Sequence, residues 1–304
     1  MASKPIFVFD NPRTRSHLFW RWIGTHPDLR TEYHPYLLAA HLGPENFYRD
    51  IRCSPQRREV IEKYGVTDVP DTFNSATQDL QKAVNRASNQ RLFVSDHCHR
   101  LVKRDLLFSV IRSERQPQDA PSNPTLIPDS LLLKFDPIIL IRHPIFTIPS
   151  FYKQMTRFNL CFESDGEDMR LQTTLQYAWL IFEYLREATG RPPIVVDGDD
   201  IVWRAGEVKE GVCAALGLDA AGVQDSWGPT PVEERPTNQY VWEFTKVAHE
   251  STGIERVPSK PAVPSIDEAF EGWRKEYGGE VAGHLRSLVE AEMAHYDYLK
   301  QFKI

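Results

Sequence analysis

The stretch Ile6–Ile23, IFVFDNPRTRSHLFWRWI, decides how the rest of the chain is read. It opens on four apolar β-formers, Ile6-Phe7-Val8-Phe9, and breaks at Asp10-Asn11-Pro12, the pattern of a buried strand running into a turn. Beyond the turn, Leu18, Phe19, Trp22 and Ile23 recur at helical spacing, with Arg21 off that stripe. The order is strand, tight loop, helix. The loop sets Arg13, Arg15, Ser16 and His17 at the helix start, where unpaired N–H groups and a partial positive charge favour an anion. Two arginines and a hydroxyl there predict a phosphate or sulfate ligand. The plainer reading is an arginine-rich surface turn between a core strand and a core helix.

The 304 residues, 41% hydrophobic and 26% charged, suit a single α/β domain over 1–304. A net charge of -6 excludes a general basic field for nucleic acid. No apolar run reaches membrane-spanning length, and Met1-Ala2-Ser3-Lys4 leads straight into the first strand, which leaves no room for a signal peptide. The expectation is a cytoplasmic protein without nucleic-acid or membrane partners. Cys53, Cys98, Cys161 and Cys213 are scattered with no C-x-x-C pair, the usage of free thiols in a reducing compartment. No metal is expected: Cys98 lies between His97 and His99, but adjacent residues seldom all face one ion.

Outward from the first stretch, strands and helices alternate. Glu32-Tyr33-His34-Pro35-Tyr36 with residues 37–50 reads as a short strand and helix, or as pocket lining. Arg57–Tyr64 reads as a charged helix, and Thr72–Ala87 as an amphipathic one with Phe73, Leu80 and Val84 on one face. Strand Arg91–Ser95 ends in Asp96-His97-Cys98-His99. Gln116–Asp129, rich in Pro, Ser, Asp and Asn, reads as a mobile excursion or lid. The unbroken apolar run Pro137–Ile141 is a central parallel strand; it ends at Arg142-His143-Pro144 and turns into a helix through Ser150-Phe151-Tyr152. Leu171–Ala188 reads as one long helix, Pro193–Val196 as a strand ending in Asp197-Gly198-Asp199-Asp200, and Gly206–Leu216 as a helix closed by Gly217. Gly228–Ala262 reads as a surface loop, and a helix near Val281–Tyr298 closes the chain. This alternation predicts a parallel sheet covered on both faces, with ligands at the carboxyl ends of its strands.

The first loop is not a Walker A sequence. Pro12-Arg13-Thr14-Arg15-Ser16-His17 resembles the 5′-phosphosulfate loop of the PAPS-dependent sulfotransferases, often written Pro-Arg/Lys-x-Gly-Ser/Thr-Thr. Arg13 matches the basic residue and Ser16 the hydroxyl; Arg15 stands where that family usually has Gly, and His17 where it has Thr. Arg142-His143-Pro144 with Ser150-Phe151-Tyr152 resembles the family's 3′-phosphate motif at the same spacing. Pro144 stops the strand, the next helix returns a hydroxyl beside the guanidinium, and an arginine fork suits a phosphate. Val94-Ser95-Asp96-His97 resembles the strand end carrying the family's general base, with His97 in the base's place and Ser95 replacing a lysine. Val195–Ile201 and Gly206–Leu218 resemble the following strand and helix. The likeness covers most of Ile6–Leu218. The C-terminal Arg-Lys-Gly loop and the short dimer motif of cytosolic members are missing, and Gly272-Trp273-Arg274-Lys275 is only a loose echo of that loop.

The resemblance implies a three-layer α/β/α, P-loop NTPase-like fold and a sulfotransferase using PAPS (3′-phosphoadenylyl sulfate) with PAP as product. It implies that Arg13, Thr14, Arg15, Ser16 and His17 cradle the phosphosulfate, with Arg13 and Arg15 offsetting charge during transfer. Arg142 and Ser150 hold the 3′-phosphate, and His97 takes the proton of an acceptor hydroxyl. Arg15 or His17 would supply the cation that Ser95 removes. Tyr33, Tyr36, Phe47, Phe151, Tyr152 and Phe158 point to a small aromatic or apolar acceptor. Two alternatives stay open. One is an enzyme on this scaffold using His97 for isomerisation, dehydration or hydrolysis, which the changes at Arg15, His17 and Ser95 favour. The other is an anion-binding module without catalysis. The sequence leaves the oligomeric state open.

Overall fold

Five strands, β1 Ile6–Asp10, β2 Leu29–Tyr33, β3 Arg91–His97, β4 Asp136–Ile141 and β5 Ile194–Asp197, pair in parallel in the order β2-β3-β1-β4-β5. The computed structural model describes residues 4–45, 71–112, 122–157, 163–237, 239–260 and 262–304. The expected helix Arg57–Tyr64, together with Cys53, Cys161, Phe47, Phe158 and residues 116–121, lies outside the described residues.

Along the strands the helices are α1 Ser16–Ile23, α2 Leu37–His41, α3 Phe73–Asn85, α4 Cys98–Leu101, α5 Arg104–Ile111, α6 Asp129–Leu132 and α7 Pro144–Arg157. They continue as α8 Glu167–Thr173, α9 Gln176–Thr189, α10 Asp200–Trp203, α11 Ala205–Leu216, α12 Gln239–Glu250, α13 Ile266–Tyr277 and α14 Gly279–Lys300.

Strand alternation builds the three layers. Phe7, Phe9, Leu92, Val94, Ile139, Ile141 and Val195 face one core, filled by α3 to α9 and α14. Ile6, Val8, Phe93, Ile138, Leu140 and Val196 face the other, filled by α1, α10 and α11. Successive strand residues point to opposite faces, so an interior strand must be apolar throughout. β1 is fully buried and central, and the loops after β1, β3, β4 and β5 meet at one edge. The expected α/β class with a parallel sheet is therefore present.

Three expectations need correction. Leu171–Ala188 is two helices: Thr174 takes an extended conformation between α8 and α9. The break is held, with the Thr174 carbonyl accepting from Asn11 Nδ2 at 2.6 Å and Leu175 N–H donating to Glu292 Oε2 at 2.7 Å. The described part of Gln116–Asp129 is not a lid, because Thr125 and Ile127 are buried and Val102 and Thr125 form a β-bridge. Gly228–Ala262 contains α12, which packs on α1. Ile266–Tyr277 is a further helix, started by a Ser265/Glu268 capping box. Among the described residues no helix is long and apolar enough to cross a membrane, and Cys98 and Cys213 are free and buried.

Candidate functional site

The loop after β1 is wound tightly. Arg13 (φ 69°) and Arg15 (φ 66°) both take the left-handed conformation, which costs a residue with a Cβ about 1–2 kcal/mol. Arg15 thus keeps the backbone shape that Gly allows in the resembling loop. The turn after β5 presses on the same loop: a Cβ on Gly198 would lie 2.1 Å from the Thr14 carbonyl oxygen. Thr14 is buried and its hydroxyl donates to the Asn11 carbonyl at 2.7 Å, so its side chain braces the loop and does not reach the cavity. α1 starts at Ser16 with no side-chain cap and no acidic residue in its first turn, which leaves its N-terminal N–H groups for an anion.

Three strand ends converge there. Arg13 Nε donates to Ser150 Oγ on α7 at 2.9 Å. Arg142, at the end of β4, donates from Nη1 to the Arg13 carbonyl at 3.2 Å and from Nε to Asp199 Oδ1 at 2.8 Å. Arg15 Nη2 reaches the same Asp199 oxygen at 3.2 Å. Arg142 is thus both an ion-pair partner, the plain reading of a strand-end arginine, and part of the cavity wall. Burial, and then the neighbouring Arg142, pull the Arg13 and Arg15 guanidinium groups below their ordinary values. Clustered cations of this kind are stabilised by an incoming anion.

A cavity of about 530 Å³ opens on these groups. Arg13, Arg15, Arg100, Arg142, Arg157 and Lys246 line it, and among the described residues no carboxylate does. Ser16, His17, His34 and His97 form its polar floor, and Leu18, Leu37, Phe151 and Met155 supply apolar wall. Of the aromatic residues expected to hold an acceptor, Phe151 reaches the cavity. Tyr33 stacks on His34 at 3.9 Å, the Tyr36 hydroxyl meets Thr77 Oγ1 at 2.9 Å, and Tyr152 packs edge-on against Tyr277.

His97 sits at the last position of β3, opposite Asp10 at the last position of β1. Its Nδ1 is hydrogen-bonded to Asp10 Oδ1, and Ser95 Oγ donates to Asp10 Oδ2 at 2.8 Å. Asp96 is structural: it accepts the Tyr36 and His97 N–H groups at 2.8 Å each and Arg100 Nη1 at 3.1 Å. Burial, then Arg100 and His17, push His97 well below an ordinary histidine, and burial raises Asp10 to about 7. His17 falls to about 4 through burial. At neutral pH His17 and His97 are therefore uncharged. Asp10, His34 and His97 offer ligand atoms within 4.8 Å of one another. Arg100 Nη1 donates to His34 Nδ1 at 3.0 Å, however, which places a fixed positive charge where a cation would have to bind.

The sequence-predicted residues Arg13, Arg15, Ser16, His17, His97 and Arg142 thus meet at one cavity, and Ser150 reaches it through Arg13. Sequence reading offered His34 as pocket lining, which it is, and passed over Asp10, Arg100, Asp199 and the α12 residues Thr245, Lys246 and Val247. A carboxylate ending an otherwise apolar interior strand was the available signal for Asp10. For Asp199 the strand end was read only as a landmark, and α12 sits in a segment read as loop.

No family model matches the chain. The chain is similar to the protein named sulfotransferase ppzF from Metarhizium majus (strain ARSEF 297), 30% identical over 192 residues, which is 59% of this chain and 55% of that protein. The protein of the same name from Metarhizium rileyi (strain RCEF 4871) is 29% identical over the same length and shares. The chain spans about half the length of these curated relatives. The crystal structure of a sulfotransferase from Alicyclobacillus acidocaldarius is 12% identical, with a TM-score of 0.43 over 95% of this chain and 97% of that one. Over the 192 matched residues the chain is thus similar to proteins named sulfotransferase, in line with the loop and the strand-end arginine that resemble that family.

Proposed function

We propose that the chain transfers a sulfuryl group from PAPS to a hydroxyl of a small molecule. One observation carries the reading: the two anion motifs, far apart in sequence, are joined by the Arg13–Ser150 hydrogen bond at a cavity whose wall, among the described residues, has six cationic side chains and no carboxylate. The residues fit a donor with two anionic ends. α1 presents an uncapped N-terminus, and Arg15 Nε is buried with no hydrogen-bond partner among the described residues. Arg13, Ser16 and the start of α1 would hold the phosphosulfate, and Arg142 with Ser150 the 3′-phosphate. When bound, PAPS supplies the sulfuryl group.

The protein's own contribution is positioning and charge. His97 Nε2 makes no hydrogen bond among the described residues, and its ring lines the cavity beside the arginines. It accepts the proton of the acceptor hydroxyl, which a neutral imidazole does at neutral pH. Leu18, Leu37, Phe151 and Met155 give the acceptor an apolar wall. Arg15 is drawn to Asp199, so it adds charge on the donor side of the cavity.

A second reading is favoured by Ser95. Its hydroxyl is committed to Asp10 and brings no cation, which supports proton chemistry at His97 without sulfuryl transfer. Radiolabelled PAPS incubated with a panel of phenols and alcohols separates the two. Labelled product that falls by about 10²–10⁴-fold in His97→Ala, with PAP affinity unchanged, supports the first reading. No PAP binding and no labelled product from any acceptor supports the second, and PAP binding without labelled product supports an anion-binding module without catalysis.

A further inference from the structure

We infer that Asp10 is the positioning residue for His97: its carboxylate holds the ring as the Nδ1–H tautomer, so that Nε2 is left as the proton acceptor facing the cavity. The inference rests on the proposed function only in taking Nε2 as the reacting atom.

The geometry comes from the sheet. Asp10 and His97 are direct partners in the parallel β1–β3 ladder, and Ser95 pairs with Val8. Side chains of Val8 and Asp10 share a face, as do those of Phe93, Ser95 and His97. Below them that face is apolar, built of Ile6, Val8 and Phe93. Asp10 therefore lies on a hydrophobic base with no exposure to solvent, and both its oxygens are used: one by His97 Nδ1, the other by the Ser95 hydroxyl at 2.8 Å. In its ionised form Asp10 can only accept at this place, and what it accepts is the ring N–H, which fixes the tautomer.

The other groups around the ring do not do this work. His34 lies 4.4 Å from it centroid to centroid, and its Nδ1 accepts from Arg100. His99 lies 5.5 Å away. Arg100 is bonded to Asp96, whose oxygens are shared with two backbone N–H groups. His17 and Arg100 both oppose positive charge on His97. When the acceptor hydroxyl gives its proton to Nε2, the ring becomes an imidazolium in a buried and already cationic setting. Asp10 offsets that charge at Nδ1–H without taking the proton itself.

This also accounts for Ser95. A cation at 95 would compete with the ring for the same carboxylate. A hydroxyl donates one bond to the second oxygen and leaves the first to His97. Asp10 and Ser95 thus act as one unit, the serine orienting the carboxylate that orients the histidine.

The test reads the tautomer directly, with no donor or acceptor present. In a long-range ¹H–¹⁵N correlation spectrum of the uniformly labelled protein, with His97 assigned by comparison with His97→Gln, Nδ1 should carry the proton and Nε2 should show the shift of a bare nitrogen. In Asp10→Asn, Ser95 holds the amide oxygen, the amide N–H faces the ring, and the tautomer should switch to Nε2–H. In turnover, Asp10→Asn should lower kcat by about 10²–10⁴-fold with PAP affinity within about twofold of the parent, and Ser95→Ala should lower it by about tenfold. An Nε2–H ring in the parent overturns the inference, whether or not Asp10→Asn folds. So does an unchanged tautomer or an unchanged kcat in a folded Asp10→Asn. A parent with the Nδ1–H tautomer but no sulfuryl transfer to any acceptor leaves Asp10 in its role and removes only the proposed reaction.

Discussion

Arg13, on the loop after β1, donates from Nε to Ser150 Oγ on α7 at 2.9 Å, across 137 residues of sequence. The bond ties the two anion motifs into one cradle, so their contributions to nucleotide binding should not add. A double-mutant cycle with Arg13→Ala and Ser150→Ala on PAP affinity should show a coupling of about 0.5–3 kcal/mol. Additive single effects in calorimetry would mean that the motifs bind independently.

Asp199 is the anion now held by the cradle, shared by Arg142 at 2.8 Å and Arg15 at 3.2 Å. Removing its charge frees both guanidinium groups, so Asp199→Asn should bind PAP more tightly than the parent. Arg142→Ala should weaken PAP by about 2–4 kcal/mol, since a largely desolvated partner is lost. If Asp199→Asn loses affinity, the carboxylate positions the arginines and does not compete with phosphate.

Arg15 holds a left-handed backbone at φ 66°. Arg15→Gly removes a conformational cost of about 1–2 kcal/mol and gives up a partly exposed ion pair worth up to about 1 kcal/mol. Urea unfolding should therefore find the variant equal to the parent or slightly more stable, while PAP affinity falls. A clear loss of stability would make Arg15 a strut of the loop.

His17 titrates near 6.5 when unfolded and about 4 when folded, because burial disfavours its charge. A depressed folded value contributes stability above pH 6.5 that is lost as pH falls towards 4, here about 3 kcal/mol at most. His34, His97 and His99 are also depressed by burial and act in the same direction. Asp10, raised to about 7, and Asp96, raised to about 6, oppose them, since their stabilisation is lost as pH rises through those values. The difference between parent and His17→Gln isolates one term: the variant's unfolding free energy should fall less between pH 6.5 and pH 4. Parallel curves would place His17 in contact with water.

What the sequence revealed follows from physics that acts locally. An apolar run with a break after Phe9, a helical stripe from Leu18, and an arginine and a serine eight residues apart after the β4 run are all short-range signals. They located β1, α1, β4 and α7 and three of the six cations in the wall, Arg13, Arg15 and Arg142. What stayed hidden depends on pairing between distant strands. Asp10 meets His97 only because β1 lies beside β3, and Asp199 meets Arg142 only because β5 lies beside β4. The α8–α9 break was illegible because Thr174 is capped by Asn11 and Leu175 by Glu292, from β1's loop and the C-terminal helix. The aromatic residues misled because Tyr33, Tyr36 and Tyr152 are used in packing and do not line the cavity.

The cradle of Arg13, Arg142 and Ser150 is most directly tested by calorimetric titration with PAP and, separately, with AMP, which lacks the 3′-phosphate. The account predicts one site per chain, PAP tighter than AMP by at least about 1.4 kcal/mol, a tenfold ratio, and loss of that preference in Arg142→Ala. Equal affinity for the two nucleotides, or no heat with PAP, would contradict it.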